Sequence, residues 1–349
     1  MSDFQEQFLE VTPIDSLIFR DGKPFSVNVH SANGIFPPFP YSFAGLLRTH
    51  FGKEYSYDME KMKSAGLGDN ESFGDFYLTG SYLKKDDELY FPAPADIIHE
   101  KNSKKIIGLL SPKENTDNIV TNYPKNFTKI PSTDFQGEFL NFSNDFISAT
   151  DMKAYLKGDF KAIKNIVTKD FFVSDEPRTS VQIDSKKAAG KEGKLFTVNF
   201  IRFQDSVSFV LSYKAPDFKE ESSVATLGGE RRLVKLTKIN KFSLPEIEIN
   251  SNRIKLILTT PAFFNNMQTP NLQIDGLKLV SAVSNGYENI GGWDIVKCRP
   301  RPIRKAVKAG SVYYYEIENK EVINKIKNLN SLSDTDSQAG MGKFLIGGW

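Results

Sequence analysis

Three stretches of this chain set arginines and lysines beside glycines and aromatic rings, at spacings that suit contact with a phosphate backbone. In residues 178–202, six cations (Arg178, Lys186, Lys187, Lys191, Lys194 and Arg202) face two acids, with Gly190 and Gly193 among them. In residues 227–235, LGGERRLVK, the pair Gly228 and Gly229 precedes Arg231 and Arg232. Between residues 230 and 241 five cations stand against one acid. In residues 295–315, Lys297, Arg299, Arg301, Arg304, Lys305 and Lys308 occur with no acid at all. Trp293 precedes that run, and Tyr313, Tyr314 and Tyr315 close it. Cations meet phosphates and aromatic faces meet unstacked bases, so such a run has the chemistry for single-stranded nucleic acid. Adjacent glycines let the backbone approach a partner and present its amides. A fourth group is Arg20 and Lys23, in the turn RDGKP, with Arg48 further along.

Each stretch also has a plainer explanation. A charged, glycine-rich hairpin tip is often only solvated. A Gly-Gly pair can end a helix before an ordinary strand. Tyr313 and Tyr315 alternate, as a strand would place them into a core. A P-loop is excluded at 227–235, because the closing Lys-Ser/Thr is missing. Metal-free RNA cleavage would use a histidine as general acid or base. The chain has His30, His50 and His99, and no neighbouring motif fixes a role for any of them. No HExxH, GxSxG, metal quartet or paired-carboxylate pattern occurs. The expectation is no catalytic residue, no metal and no cofactor. The single cysteine, Cys298, leaves no internal disulfide.

The elements that would position these residues are readable in outline. Residues 8–19 alternate as a strand, followed by the turn RDGKP and the loop FPPFP. Ser42 is a candidate N-cap for a helix with Phe43, Leu46, Leu47 and Phe51 on one side, and Gly45 within it suggests close packing on a sheet. Residues 53–75 read as a surface connection. Residues 76–92 read as a hairpin turning at 84–87, and 101–146 as a long surface insertion with little periodicity. Residues 151–166 hold one short helix or two, broken near Gly158. Strands at 179–183 and 195–203 flank a basic, glycine-rich tip. Further strands are expected at 206–213 and 253–259, followed by another apolar run at 277–283 and a helix at 320–329 capped by Asn319. A net charge of +2 over 349 residues excludes a uniformly basic coat but says nothing of local patches. The first residues show no basic and apolar leader, and no apolar run approaches the roughly 18 residues of a membrane span. The expectation is a soluble, cytoplasmic chain of two domains.

Taken in order, these stretches resemble the RAMP superfamily of CRISPR proteins and, within it, the third subunit of the Cmr (type III-B) effector complex. The resemblance rests on residues 12–52, the hairpin at 176–203, LGGERRLVK, residues 289–317 (NIGGWDIVKCRPRPIRKAVKAGSVYYYEI) and the closing GMGKFLIGGW. It implies an α+β fold of two ferredoxin-like (βαββαβ, RRM-related) domains with long insertions. The first would span 1–215, with an insertion around 101–146 and a basic hairpin at 177–203. The second would span 216–349. It implies a non-catalytic RNA-binding subunit that clamps the repeat-derived 5′ tag of the CRISPR RNA in antiviral defence. Partners would be the large polymerase/cyclase-like subunit, a backbone RAMP subunit and, indirectly, target RNA, with no membrane. The contacts carried over are Arg20, Lys23 and Arg48 near the first unit and Arg178, Lys186, Lys187 and Lys191 on the hairpin. Gly228, Gly229, Arg231 and Arg232 would act at the loop, and Arg299, Arg301 and Arg304 on the basic run. GGERR lacks the GGDD of polymerase-like palms, so nucleotide cyclisation is not expected. A RAMP endoribonuclease, the equivalent subunit of a type III-A complex and a purely structural adaptor are the alternatives.

Overall fold

The computed structural model describes residues 4–19, 31–32, 34–114, 127–184, 189–294 and 299–349. The principal elements, in chain order, begin with β1 (Glu6–Pro13), α1 (Pro40–Gly52), α2 (Met59–Ser64), β2 (Tyr77–Lys85), β3 (Glu88–Pro92), β4 (Ile97–Glu100) and α3 (Ala149–Leu156). Then come β5 (Val173–Asp184), β6 (Ala189–Phe203), β7 (Val207–Lys214), β8 (Ser222–Thr226), β9 (Leu233–Lys238), β10 (Arg253–Leu258), β11 (Leu277–Val283), β12 (Val312–Ile317), α4 (Glu321–Lys327) and β13 (Phe344–Gly348). The architecture is mixed α/β, with mostly antiparallel sheets and few helices. Two compact units share the chain in alternation. The first takes Met1–Asp86, Lys169–Lys241 and Asn289–Lys305, and the second takes Asp87–Thr168, Phe242–Glu288 and Ala306–Trp349.

In the first unit the sheet order is β2-β7-β1-β9-β8, antiparallel throughout. Leu9 lies opposite Leu211 on one side and Lys238 on the other. Leu9, Val11, Leu211, Val234 and Leu236 are fully buried. Helix α1 buries Phe43, Leu46, Leu47 and Phe51, the apolar positions its spacing marks out. Phe43 meets Phe209 at 5.0 Å and Phe51 meets Tyr213 at 5.9 Å, ring centroid to centroid. The helix starts earlier than expected. Phe39 is its N-cap, Pro40 its first residue, and no side chain caps it, so Ser42 lies inside. Proline suits that position because its fixed φ is helical and its missing N–H had no partner to lose. Strand β1 stops at Pro13, before the expected residue 19, where Ile14 and Asp15 bend the chain. The stretch after α1 is more than a connection, since Asp58 accepts the amides of Glu60 and Lys61 and starts α2. The hairpin β5–β6 is longer than the sequence suggests and pairs from Val173 with Phe203 outward, with an irregularity between Val181 and Ile183.

In the second unit the sheet order is β11-β12-β10-β13, antiparallel throughout. One face packs Ile254, Leu256, Leu258, Tyr313 and Tyr315 under Val322, Ile323 and Ile326 of α4. The opposite face carries Lys255 and its cross-strand partner Tyr314. Tyr313, Tyr314 and Tyr315 are 1, 1 and 2% exposed, so both faces of β12 are buried and none of the three offers a stacking surface. Within the stretch expected as an aperiodic insertion, the described residues 101–114 and 127–146 include short strands. Ile106–Leu109 and Phe139–Asn141 flank β4, and Ser111–Glu114 pairs with Lys129–Ser132. Strands of three or four residues are too short to show a period.

Asp96, fully buried, accepts hydrogen bonds from the Tyr155 hydroxyl at 2.6 Å and the Tyr314 hydroxyl at 2.7 Å. Lys255 Nζ lies 3.8 Å from Asp96 Oδ2 and 3.5 Å from the Tyr155 ring centroid. Burial draws the Lys255 ammonium down to about 8, against the pull of Asp96. Removing one partner of a buried pair strands the other charge. Asp96→Ala should therefore lower stability by about 3–5 kcal/mol in urea denaturation. A group with a folded pKa below its unfolded value makes stability rise with pH between the two. Wild type should thus gain stability relative to Lys255→Met as pH rises from about 8 toward the ordinary lysine value of 10.5.

Candidate nucleic-acid interface

Three segments meet behind the end of β1, all within the first unit. The amides of Ile14 and Asp15 donate to Leu233 O, and the Leu233 amide donates to Asp15 Oδ2 at 3.1 Å. Leu17 then exchanges both backbone hydrogen bonds with Ile201 of β6, at 2.9 and 2.7 Å. One residue later, Ile18 O accepts the Gly229 amide at 2.8 Å. The hairpin base and the glycine loop are thereby fastened to one short segment. Ile18, Val198 and Phe200 fill the apolar space between them.

The glycine loop is shaped by that junction. Gly228 has φ +77° and ψ −160°, a conformation open essentially to glycine. A Cβ there would stand 2.5 Å from Ile18 O. Glu230 and Arg231 also have positive φ, 56° and 52°. Leu227 closes the loop by donating to Arg232 O at 2.8 Å. The Gly229 amide, expected as a ligand donor, is engaged by Ile18.

Around this loop the arginines converge on one ring and one carboxylate. The guanidinium carbons of Arg178 and Arg232 each lie 4.6 Å from the Phe200 ring centroid, within the range of cation–π attraction. Glu176 receives Arg178 Nε at 2.7 Å, Arg202 Nη2 at 2.6 Å and Ser16 Oγ at 2.7 Å. The Ser16 hydrogen bond, with the two arginines, holds the Glu176 carboxyl below its usual range. Glu230 pairs with Arg232 at 3.1 Å, and Arg231 is exposed.

A second cationic group sits along α1. Arg48 donates through Nε to Leu67 O at 2.9 Å and through Nη2 to Asp69 O at 2.6 Å, with its guanidinium 5.0 Å from the Phe73 ring centroid. Burial lowers its pKa, Asp69 opposes that, and the nearby charge of Arg301 adds to it. Arg304 Nη2 donates to the Tyr41 hydroxyl at 2.7 Å. Arg299, Arg301 and Arg304 are exposed.

Of the residues singled out from the sequence, Arg178, Gly228, Gly229, Arg231 and Arg232 come together at the junction. Arg48 lies on α1, and Arg304 reaches that helix at Tyr41. Arg20, Lys23, Lys186, Lys187, His30 and Cys298 lie outside the described residues, and Lys191 is placed by its backbone in β6. Sequence reasoning missed Ser16, Glu176, Phe200, Tyr41 and Phe73. Glu176 was legible only as the residue two before Arg178, on the same strand face. His50 is half-buried against Phe218 and Phe51, and burial lowers its pKa. His99 is buried, 4.4 Å from the Phe142 ring, with Nδ1 2.9 Å from Glu100 O. Among the described residues no group of three His, Cys, Asp or Glu is arranged to hold a metal, and no helix is long and apolar enough to cross a membrane.

Residues 9–349 match the family model of the CRISPR-associated protein Cas_Cmr3. No curated protein matches the chain. Among solved structures, the fold is similar to a chain of the type III-B Cmr-beta complex bound to cognate target RNA and AMPPnP. The TM-score is 0.51 at 15% identity, over 92% of this chain and 89% of that one. A chain of the same complex with cognate target RNA gives a TM-score of 0.51 at 16% identity, with the same coverage.

Gly228→Ala should cost more than the roughly 1–3 kcal/mol of backbone strain alone, because the new Cβ also meets a carbonyl. Gly158→Ala, at φ +81° with open space, isolates the strain. Urea denaturation of the two variants beside wild type measures the difference.

Proposed function

We propose, from the premise that the chain belongs to the Cas_Cmr3 family of CRISPR-associated proteins, that it is the RNA-clamping, non-catalytic subunit of a cytoplasmic type III-B effector complex. Its first unit holds the repeat-derived 5′ tag of the CRISPR RNA. The rest of the chain docks the large polymerase-like subunit and the first backbone subunit, for antiviral defence. The observation that carries the reading is the junction at Leu17 and Ile18, which gathers Arg178, Arg202, Arg231 and Arg232 from distant segments onto one surface.

The mechanism is backbone clamping. Guanidinium groups pair with phosphate oxygens in planar, two-point geometry. Glu176 and Phe200 fix the directions of the arginines beforehand, so less side-chain freedom is lost when RNA arrives. Bases splayed from the strand are read at neighbouring polar groups. The sheet orders support a ferredoxin-like reading of each unit. With the edge strand β8 set aside, both follow second, third, first, fourth in order of appearance, β2-β7-β1-β9 and β11-β12-β10-β13. Each retains one of the two helices of that plan, α1 in the first and α4 in the second. His50 and His99, packed against aromatic rings, support a non-catalytic role.

Crosslinking with mass spectrometry on the assembled complex tests the reading. Crosslinks from residues 178–202, 227–235 and 297–308 to the 5′ tag are expected, with the RNA intact. Crosslinks confined to neighbouring subunits would reduce this chain to an adaptor, and cleaved repeat RNA would make it a nuclease. In titrations against salt, the double variant Arg178→Ala/Arg232→Ala should flatten the log–log slope by about 1.4, the release expected for two phosphate contacts on a single strand.

A further inference from the structure

Strand β13 forms one edge of the sheet in the second unit, and no strand pairs with its outer side among the described residues. The Thr259 amide donates to Lys343 O at 2.7 Å, and the Trp349 amide donates to Arg253 O at 3.4 Å. In the same register Leu345 lies opposite Ile257 and Gly347 opposite Lys255. Residues 343, 345, 347 and 349 therefore turn their backbone groups toward β10, and Phe344, Ile346 and Gly348 turn theirs away from it. Those outward amides and carbonyls have no backbone partner among the described residues.

Folds usually guard such an edge with a charge, a proline or a bulge. The opposite edge, β11, has an exposed lysine, Lys278, and a register irregularity between Leu279 and Ser281. Strand β13 reads Phe-Leu-Ile-Gly-Gly and keeps unbroken register with β10. The flanking Lys343 does not guard it, being 6% exposed and donating through Nζ to Asn330 O at 2.8 Å. Helix α3 fixes the strand from one face, since a Cβ on Gly347 would stand 3.1 Å from Leu156 O. Beside Gly348 and Trp349 lies a cavity of about 390 Å³, a size that suits a bound group. Leu156, Ile247 and Trp349 give it apolar walls, and the exposed Glu248 and Lys157 add one charge of each sign.

We propose that the outer edge of β13 receives one extended segment of a neighbouring protein subunit, added to the four-stranded sheet as a further strand. In strand addition, main-chain hydrogen bonds give affinity and pockets for alternate side chains give choice. The incoming strand takes the amides and carbonyls of Phe344, Ile346 and Gly348. The cavity beside Gly348 holds one of its apolar side chains against Leu156, Ile247 and Trp349. One basic and one acidic residue of the segment meet Glu248 and Lys157. Paired charges of opposite sign suit a protein strand; the phosphates of a nucleic acid would be repelled by Glu248. The inference rests on the subunit-docking reading above and gives that docking a place and a mode.

Hydrogen–deuterium exchange of the full chain, alone and assembled with the remaining subunits of the complex, tests the proposal. Assembly should slow exchange at Phe344, Ile346 and Gly348 by about tenfold or more. Leu345 and Gly347, already bonded to β10, should change little. Gly348→Pro removes one outward donor and no bond to β10. It should weaken binding to the remaining subunits about tenfold, with the thermal unfolding midpoint kept. Glu248→Lys, at an exposed position, should weaken binding about fivefold. Wild-type binding by both variants, with the three amides unprotected on assembly, overturns the strand dock and leaves the docking reading standing. Protection that grows with the concentration of the isolated chain gives the edge to a second copy and overturns the proposal as well. A chain that joins none of the other subunits overturns both.

Discussion

Two backbone contacts, at Leu17 and Ile18, decide where the first unit carries its charge. Leu17 is bound to Ile201 and Ile18 to Gly229, partners that lie some two hundred residues further along the chain. Exposed ion pairs contribute roughly 0–1 kcal/mol each and could not by themselves bring the arginines together. The ordering comes from the buried Ile18, Val198 and Phe200 and from hydrogen bonds whose geometry fixes register. The electrostatic surface is thus a consequence of backbone pairing. Gly228 is the point of least tolerance, because its Cβ would occupy the space that brings the loop against Ile18 O.

Pairing of an arginine with an acid is usually read as neutralisation. Around Glu176 it does something else. One carboxylate serves Arg178 and Arg202 together, with Ser16 taking part of its capacity. The cluster keeps an excess of positive charge while its forks hold fixed directions. The second unit shows the opposite use of a cation. Lys255 is 1% exposed, faces Asp96 and two tyrosines, and has no route to a ligand. Its charge belongs to the core. Residue type alone therefore does not separate a binding cation from a structural one; burial and the number of acids facing it do.

The sequence carried those features that are local. The apolar run at 277–283 coincides with the strand Leu277–Val283, and helical spacing located Phe43, Leu46, Leu47 and Phe51 on the buried side of α1. The basic stretches were visible as composition, and the resemblance of the whole chain agreed with the family match over residues 9–349. What stayed hidden depends on contacts between distant segments. Alternation predicts that one face of a strand is buried, and β12 is covered on both, so Tyr314 joins a buried network instead of facing solvent. Lys255 lies in a run read only as a strand, and nothing near it in sequence announces Asp96 from more than 150 residues away. Nothing in the sequence marks out Phe200. Its role in orienting Arg178 and Arg232 exists only once the hairpin and the glycine loop meet.

Gly228 and Gly45 show why a glycine in a basic region has to be judged from three dimensions. At Gly228 the backbone sits at positive φ against a carbonyl, and stability itself selects the residue. At Gly45 the backbone is helical and the space is open, so stability selects against it. Both look alike in the sequence, short of side chain and close to arginines. The distinction matters because only the second kind leaves a surface that the fold does not use.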